Sequence, residues 1–189
     1  MRIILTGPPG AGKGTQAQSL SSTLQLPHIS TGDLFRSHIA QGTELGRPAK
    51  SFLDAGELVP DEVTIGMVVE RLADDDTTAG FILDGFPRTV AQAIALDEFL
   101  GEQLIQINAV LDFSIADDAV VGRMLARGRA DDTEDVIRRR LRVYHDETRP
   151  LLDYYSALLL SVDADGEVDD VYTHAIDALS ERGSVAPST

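Results

Sequence analysis

The 189-residue sequence contains no cysteine and no tryptophan. The absence of cysteine excludes disulfide bonds and thiolate metal sites. Long hydrophobic runs are also absent: none approaches the roughly 20 apolar residues of a membrane span, and the short apolar run at residues 1–6 does not form a secretory signal. We therefore expect a cytoplasmic protein without a membrane partner.

Positive charge is scarce, since 16 lysines and arginines stand against 31 aspartates and glutamates, a formal net charge of −15. This balance disfavours nucleic acid as a partner, because phosphate backbones bind clustered surface cations. Lysine occurs only as Lys13 and Lys50, so nearly all positive charge is arginine. Eight of the arginines fall within residues 123–149. Such a run is usually a solvated helix face. In this run, however, helical spacing places some of the arginines on the buried face of a helix and others on the exposed face.

Apolar, β-branched runs bounded by turn residues predict five strands, at residues 3–6, 27–30, 80–84, 109–113 and 158–162. Stretches with helical spacing lie between them. This alternation predicts a single α/β domain whose five-stranded parallel sheet carries helices on both faces. Residues 31–59 and 127–134 do not fit the alternation, and we interpret them as two mobile excursions from the sheet. The tail at residues 183–189 is expected to be disordered.

The strongest motif follows the first predicted strand and reads Gly7-Pro8-Pro9-Gly10-Ala11-Gly12-Lys13-Gly14-Thr15. Its glycines allow successive backbone N–H groups to converge on one anion, and the helix that follows adds its positive end. Lys13 brings an ammonium group to the terminal phosphates. The spacing and placement predict a phosphate-binding loop rather than a simple turn, with nucleotide contacts from Gly10, Ala11, Gly12, Lys13, Gly14 and Thr15.

The sequence argues against two classes of ligand for this loop, dinucleotides and guanine nucleotides. Thr15 stands where a dinucleotide-binding fingerprint has glycine or alanine, and the only asparagine, Asn108, leaves no Asn-Lys-x-Asp motif to read guanine. Gly14 directly follows Lys13, so the hydroxyl that ligates Mg²⁺ in many such loops is displaced by one position. The sequence leaves open whether the Thr15 hydroxyl ligates the metal.

The third predicted strand ends in Phe81-Ile82-Leu83-Asp84-Gly85-Phe86-Pro87-Arg88. An acid at the end of an apolar strand beside a phosphate-binding loop is positioned to hold Mg²⁺ through water molecules. Asp84 is that acid. Gly85 permits close approach of the backbone, and Pro87 fixes the turn that directs Arg88 across the strand ends.

Residues 84–88, together with Ser30-Thr31-Gly32-Asp33-Leu34-Phe35-Arg36, resemble the corresponding motifs of adenylate kinases, and the resemblance extends over residues 1–179. It implies a P-loop NTPase-type fold. The implied reaction is the Mg²⁺-dependent, reversible transfer of the terminal phosphoryl group of ATP to AMP, giving two ADP, with no further partner. A monomer is expected.

The resemblance also implies how the chain is organised. The expected parts are a core of residues 1–29, 60–126 and 135–182, an AMP-binding segment at residues 30–59, and a short lid at residues 127–134 that closes over ATP. The lid lacks the long insertion and the cysteines of zinc-carrying relatives, so no zinc is expected.

Phosphoryl transfer between two nucleotides brings several negative charges together, and the acceptor is itself an ionised phosphate oxygen. No general base is needed; the site has to neutralise charge, align the groups and exclude water. Arginine suits this task because its planar fork holds two phosphate oxygens at once. Helical phase places Arg140 on the buried stripe of its helix, where a cation is costly without an anion. Its arginine neighbours are expected to face solvent.

Arg123 and Arg127 lie four residues apart on the preceding helix, a like-charge pair that is unfavourable without an anion. We interpret both as ATP ligands, with Arg123 stacking on adenine and Arg127 reaching phosphate. Arg129 projects from the lid, and Asp131 and Asp132 either orient it by ion pairing or are plain surface acids. The predicted catalytic residues are Lys13, Arg88, Arg123, Arg127, Arg129 and Arg140.

The resemblance implies the remaining ligand residues. Thr31 and Gln92 match positions that contact the AMP base, and Gln92 can pair with an adenine edge through both amide groups. The loop around Asp165 is expected to offer backbone contacts to the adenine of ATP. The implied AMP-binding residues are Thr31, Arg36, Glu57, Leu58, Val59, Gly85, Phe86, Pro87, Arg88, Gln92, Arg129 and Arg140.

Two alternatives remain open at this stage. Pyrimidine-monophosphate kinases also resemble this chain, although they are expected to differ at Thr31. A regulatory module that binds nucleotide without catalysis is the second alternative, and the joint presence of Lys13, Asp84 and Arg88 favours transfer over it. The histidines show no metal-ligand spacing and are interpreted as structural or surface groups; they are His28, His38, His145 and His174.

Overall fold

The computed structural model describes residues 1–44, 46–129 and 132–183. No helix within these ranges is long and apolar enough to cross a membrane. The chain forms one parallel sheet of five strands in the order β2-β3-β1-β4-β5. The strands are β1 (Arg2–Thr6), β2 (His28–Ser30), β3 (Phe81–Asp84), β4 (Ala109–Ser114) and β5 (Leu159–Asp163). All five were predicted from the sequence to within one residue at each end.

Nine α-helices lie within the described ranges. They are α1 (Lys13–Leu24), α2 (Thr31–Gln41), α3 (Gly46–Ala55), α4 (Asp61–Leu72), α5 (Val90–Glu102), α6 (Asp117–Arg127), α7 (Glu134–Val143), α8 (Leu151–Tyr154) and α9 (Val168–Glu181). A π-helical turn at Tyr144–Thr148 follows α7, and 3₁₀ turns lie at Asp75–Thr77 and Ser156–Leu158.

Helices cover both faces of the sheet, as the alternation of strands and helices predicts. Successive strand residues point to opposite faces, so Ile3 and Leu5 of β1 pack into a cluster with residues of α1 and α9. Ile4, between them, packs into a second cluster with residues of α4, α5 and α8. Each cluster is built around buried side chains, which explains why the central strands are mostly apolar.

The register of the parallel strands brings their carboxyl ends together at one edge of the sheet. Leu5 of β1 lies beside Asp84 of β3, and Thr6 lies beside Asp112 of β4. On the outer side of β3, Ser30 of β2 also pairs with Asp84. The phosphate-binding loop that follows β1 therefore begins between two acidic side chains.

The first excursion shares a small apolar cluster with α4, in which Phe35, Ala49, Val59 and Met67 join α2 and α3 to α4. A separate cluster that includes Met124 joins α6 to α7, the two helices on either side of the second excursion. Two of the expectations fall partly outside the described residues. These are the tail, beyond Gly183, and the lid segment at Ala130 and Asp131.

Candidate active site

The phosphate-binding loop is held by glycines in the left-handed region. Gly7, Gly10 and Gly12 have φ angles of 130°, 81° and 91°, which only glycine adopts without strain. A Cβ atom on Gly7 would lie 2.5 Å from the carbonyl oxygen of Phe113, and one on Gly10 would lie 2.7 Å from Cγ of Met124. The loop therefore needs glycine both for its conformation and for its packing against β4 and α6.

Lys13 begins α1 and folds back over the loop. Its Nζ atom donates hydrogen bonds to the carbonyl oxygens of Gly7 and Pro8, at 2.7 and 2.8 Å. Desolvation lowers the pKa of Lys13 to about 8, and the opposing charges of Asp84 and Asp112 only partly offset it. A ligand that brings negative charge into the loop would therefore stabilise the charged form of this ammonium group.

Asp84 lies at the end of β3, where its side chain is 14% exposed. Burial raises its pKa, but the nearby His28, whose Nε2 is 3.4 Å from Oδ2, and the charge of Lys13 outweigh burial, so the pKa is lowered overall. The site of a Cβ atom on Gly14 lies 3.4 Å from the same Oδ2 atom. Asp84 is therefore an ionised carboxylate in contact with the phosphate-binding loop.

Sequence reasoning missed two residues near the phosphate-binding loop. His28, beside Asp84, was interpreted only as a structural or surface group. Asp112 lies on the other side of β1, in β4, and is buried; burial raises the pKa of its carboxyl group. Its Oδ1 atom has no hydrogen-bond partner within the described residues. The pattern that identified Asp84, an acid at the end of an apolar strand, does not identify Asp112, because Asp112 lies within β4 rather than at its end.

A cleft lies between the end of β3 and the helices α2 to α4. Seven of the twelve implied AMP-binding residues line it, and the structure thus brings together positions from residue 31 to residue 92. The lining residues are Thr31, Gly32, Phe35, Leu53, Glu57, Leu58, Val59, Thr64, Gly85, Arg88 and Gln92.

The wall of this cleft is tightly packed around Gly85. The Thr31 hydroxyl donates a hydrogen bond of 2.9 Å to the carbonyl oxygen of Gly85. Gly85 has a φ of 79°, and a Cβ atom on it would lie 2.9 Å from the Thr31 hydroxyl oxygen and 3.0 Å from Nη2 of Arg88. The Phe86 side chain instead packs in the core between the sheet and α5, so only its backbone is available to a ligand.

Gln92 is 1% exposed and forms hydrogen bonds through both of its amide groups. Oε1 accepts from the backbone N–H of Arg88 at 2.8 Å, and Nε2 donates to Oδ1 of Asp61 at 2.7 Å. Asp61 was not identified from the sequence, because an acid at the first position of a helix is common for its interaction with the helix dipole alone.

Asp132 contacts three of the arginine residues predicted for the lid and the helices on either side of it. Its carboxylate accepts two hydrogen bonds from Arg127, at 2.9 and 2.8 Å, and one from the backbone N–H of Arg129, at 3.0 Å. Nη1 of Arg140 lies 3.5 Å from it. Burial raises the pKa of Asp132, but the hydrogen bonds and charges of these groups outweigh burial and lower it overall. The carboxylate thus occupies a site with several positive charges around one anion.

Arg140 also reaches toward the cleft. Its side chain is 18% exposed, against 53% for Arg138, which confirms the helical phase predicted for α7. Its Nη2 donates to the carbonyl oxygen of Leu53 at 3.3 Å. Desolvation and then the positive charges of Arg140 and Arg36 lower the pKa of Arg88, and the charge of Asp84 only partly offsets them. Arg140 and Arg36 therefore each lie close enough to Arg88 to repel it.

Arg123 points to a different part of the site. Its guanidinium group donates to the carbonyl oxygens of Ala164 and Gly166, at 2.9 and 3.4 Å. It also lies 3.7 Å from a carboxylate oxygen of Asp165. The structure therefore brings Arg123 together with the loop that was predicted to contact the adenine of ATP.

No group of three or more histidine, cysteine, aspartate or glutamate side chains within the described ranges is arranged to hold a metal ion. Asp84 nevertheless has the properties of a residue that could hold Mg²⁺. It is ionised and faces the loop, and carboxylate oxygen is a ligand that hard cations prefer, either directly or through water.

The site combines a phosphate-binding loop, an ionised acid beside the loop and several arginines next to the cleft. Together with the α/β fold, these features define a nucleotide-dependent phosphotransferase. A sequence profile of the adenylate kinase family matches residues 5–159. An adenylate kinase of Mycolicibacterium vanbaalenii is 60% identical over 179 residues, which are 95% of this chain and 99% of that protein. Adenylate kinases of Rhodococcus erythropolis and Corynebacterium urealyticum are 59% and 55% identical over 181 residues, which are 96% of this chain and the full length of each. The chain belongs to the adenylate kinase family of nucleoside-monophosphate kinases.

The lowered pKa of Lys13 predicts a titration that can be observed directly, because the chain has only two lysines. In protein labelled with ¹³C at lysine Cε, the Lys50→Arg variant leaves one signal, which identifies Lys13. We expect that signal to titrate near pH 8. A non-hydrolysable ATP analogue should move the midpoint upward, because phosphate charge favours the protonated amine, and binding above pH 8 should take up a proton. A midpoint near the ordinary value of about 10.4 in the free protein would contradict this.

The arrangement around Asp132 predicts that an anion can replace its carboxylate. Asp132→Asn removes the negative charge shared by Arg127 and Arg140, so the free energy of unfolding should fall by about 2 kcal/mol. Inorganic tripolyphosphate should then raise the melting temperature of the variant more than that of the original protein. Asp54→Asn is the matched control, since Asp54 is 58% exposed and pairs with Lys50, and it should change stability by less than about 0.5 kcal/mol. Equal shifts with tripolyphosphate in all three proteins would show that Asp132 does not occupy an anion site.

Proposed function

We propose that the protein catalyses the reversible transfer of the terminal phosphoryl group of ATP to AMP, giving two ADP. The supporting observation is that two binding regions open on the same edge of the sheet. The phosphate-binding loop follows β1, the cleft lies at the end of β3, and the register pairs Leu5 with Asp84 across these strands. A donor in the loop and an acceptor in the cleft would meet at the arginines between them.

The proposed reaction needs no protein base. An oxygen of the AMP phosphate forms a bond to the γ-phosphorus of ATP, while the bond from that phosphorus to the β–γ bridging oxygen breaks and its electron pair stays on ADP. The acceptor oxygen is already ionised near neutral pH, so the rate depends on alignment and on neutralisation of charge. Lys13 and Arg88, with Arg123, Arg127, Arg129 and Arg140, supply that positive charge in this proposal.

Mg²⁺ bound to the ATP phosphates would add charge neutralisation and fix their geometry. Asp84 would hold it through water molecules, since its carboxylate is ionised and faces the loop. Gly10, Ala11, Gly12, Gly14 and Thr15 would surround the phosphates of ATP. Arg123 and the loop around Asp165 would bind its adenosine, because they already lie in contact.

AMP would bind in the cleft that includes Thr31 and Gln92. The backbone of residues 57–59 and of residues 85–87 would surround it, and Arg36, Arg88, Arg129 and Arg140 would hold its phosphate. The pKa of Arg88 is lowered by desolvation first and then by the charges of Arg140 and Arg36, which supports this assignment, because a phosphate among these groups would favour the charged guanidinium.

We further propose that residues 30–59 close over AMP and residues 127–134 close over ATP. Residues 30–59 pack largely through a small cluster that they share with α4, and the described residues of 127–134 contribute no side chain to the two clusters on the sheet, so both segments could move with little disturbance of those clusters. Positive charges repel one another in the free protein, and nucleotide anions would remove that repulsion and favour closure. Closure excludes water and thereby limits hydrolysis of ATP. A cytoplasmic monomer remains a prediction, which cell fractionation and sedimentation would test.

The proposed reaction predicts that the purified protein with Mg²⁺ converts ATP and AMP to ADP. Chromatographic measurement of ADP tests this directly, and absence of ADP would contradict it. Replacing AMP with CMP or UMP as the acceptor distinguishes an adenylate kinase from a pyrimidine-monophosphate kinase.

Arg88→Ala should lower kcat by about 10²–10³-fold, because the charge on the transferred phosphoryl group loses a preorganised cation. Arg138→Ala, on the exposed face of α7, should stay within about twofold of the original rate. Full turnover in Arg88→Ala would contradict the assignment of Arg88 to the reaction.

A further inference from the structure

We infer that Asp61 is a specificity-determining residue, which positions the Gln92 amide so that the cleft selects a 6-aminopurine over a 6-oxopurine. The inference rests on the proposed binding of AMP in this cleft. It concerns a residue that does not itself line the cleft and would act through Gln92.

The amide group of Gln92 has one possible orientation in this environment. Asp61, when ionised, only accepts hydrogen bonds, so the atom 2.7 Å from its Oδ1 has to be the Gln92 nitrogen. The backbone N–H of Arg88 only donates, so the atom 2.8 Å from it has to be the Gln92 oxygen. The two partners therefore enforce the same orientation, and a flipped amide would place like groups together at both ends.

Asp61 is itself held in place. Its other carboxylate oxygen, Oδ2, accepts a hydrogen bond of 2.9 Å from the Thr89 hydroxyl. That hydroxyl in turn accepts from the backbone N–H of Gln92, at 3.2 Å, at the start of α5. A network of this kind limits the rotamers of both side chains, because its hydrogen bonds are partly shielded from water and are costly to break.

The fixed orientation of the Gln92 amide leaves one hydrogen-bond donor and one acceptor for a ligand. Within the described residues, the two contacts use one of the two amide hydrogens and one of the two oxygen lone pairs of Gln92. The remaining hydrogen and lone pair offer one donor and one acceptor in fixed order. Adenine presents an acceptor at N1 and a donor at its 6-amino group, whereas hypoxanthine presents a donor at N1 and an acceptor at its 6-oxo group. The two bases have nearly the same shape, so only the order of donor and acceptor distinguishes them.

The test is the ratio of kcat/KM for AMP to kcat/KM for inosine 5′-monophosphate, with ATP as donor. Asp61→Ala leaves the Gln92 nitrogen without its acceptor, and we expect the ratio to fall by about tenfold. Asp61→Ser provides a second variant with the same expectation, since serine is well tolerated at a helix start and its side chain is shorter. Asp61→Asn keeps an oxygen acceptor, and its ratio should stay within about threefold of the original. The KM for ATP should not change in any of them.

Glu62→Ala is the matched control for charge at the start of α4, because Glu62 is an exposed acid in the same first turn. Its ratio should equal that of the original protein. The coupling is tested in a Gln92→Ala background, where Asp61→Ala should have no further effect on the ratio, since Asp61 is proposed to act only through Gln92. An additive effect there would mean that Asp61 does not act through Gln92.

The outcomes separate this inference from the proposed function. If the original protein forms no ADP from ATP and AMP, the proposed function fails. If it forms ADP but Asp61→Ala or Asp61→Ser retains the original AMP preference, only the role of Asp61 is overturned. A fall of equal size in Glu62→Ala, or a full loss of preference in Asp61→Asn, would also overturn it.

Discussion

The structure depends on holding several positive charges close together before any substrate is present. Arg127 and Arg140 share the carboxylate of Asp132, and the Lys13 ammonium lies on two loop carbonyl oxygens. These partners offset repulsion, but they are weak substitutes for a polyphosphate, which carries more charge and more acceptor oxygens. We propose that a nucleotide replaces these internal partners. In this proposal the cations are assembled before binding, so more of the binding energy can be used at the reacting groups.

The parallel sheet places these charges where they can act on one ligand. Its strands end at a common edge, so residues far apart in sequence, such as Asp84 and Asp112, flank the loop that follows β1. The strands have continuous buried clusters on both faces, and rigid elements hold a site more accurately than loops do. Residues 31–59 pack largely through a separate small cluster that they share with α4. We propose that the sheet stays fixed while these residues and the lid segment move above it.

Much of this organisation could be predicted from the sequence, because it depends on local patterns. Apolar runs identified the strands, glycine spacing identified the loop, and helical phase separated Arg140 from its exposed neighbour Arg138. The contacts of Asp61 and His28 could not be predicted in this way. Each depends on which strands or helices are neighbours, and a single sequence does not contain that information. Asp112 lies within β4 and lacks the strand-end position that identified Asp84, and the orientation of Gln92 required atomic positions.

The central claim is that the scattered guanidinium groups converge on one polyanion that joins donor and acceptor. A crystal structure with a bisubstrate analogue, two adenosines linked through a chain of five phosphates, tests it most directly. We predict that Arg88, Arg127 and Arg140 contact phosphate oxygens, that Lys13 leaves its carbonyl partners for phosphate, and that Asp132 no longer holds Arg127. Guanidinium groups directed into solvent, with the phosphate chain bound elsewhere, would contradict the account.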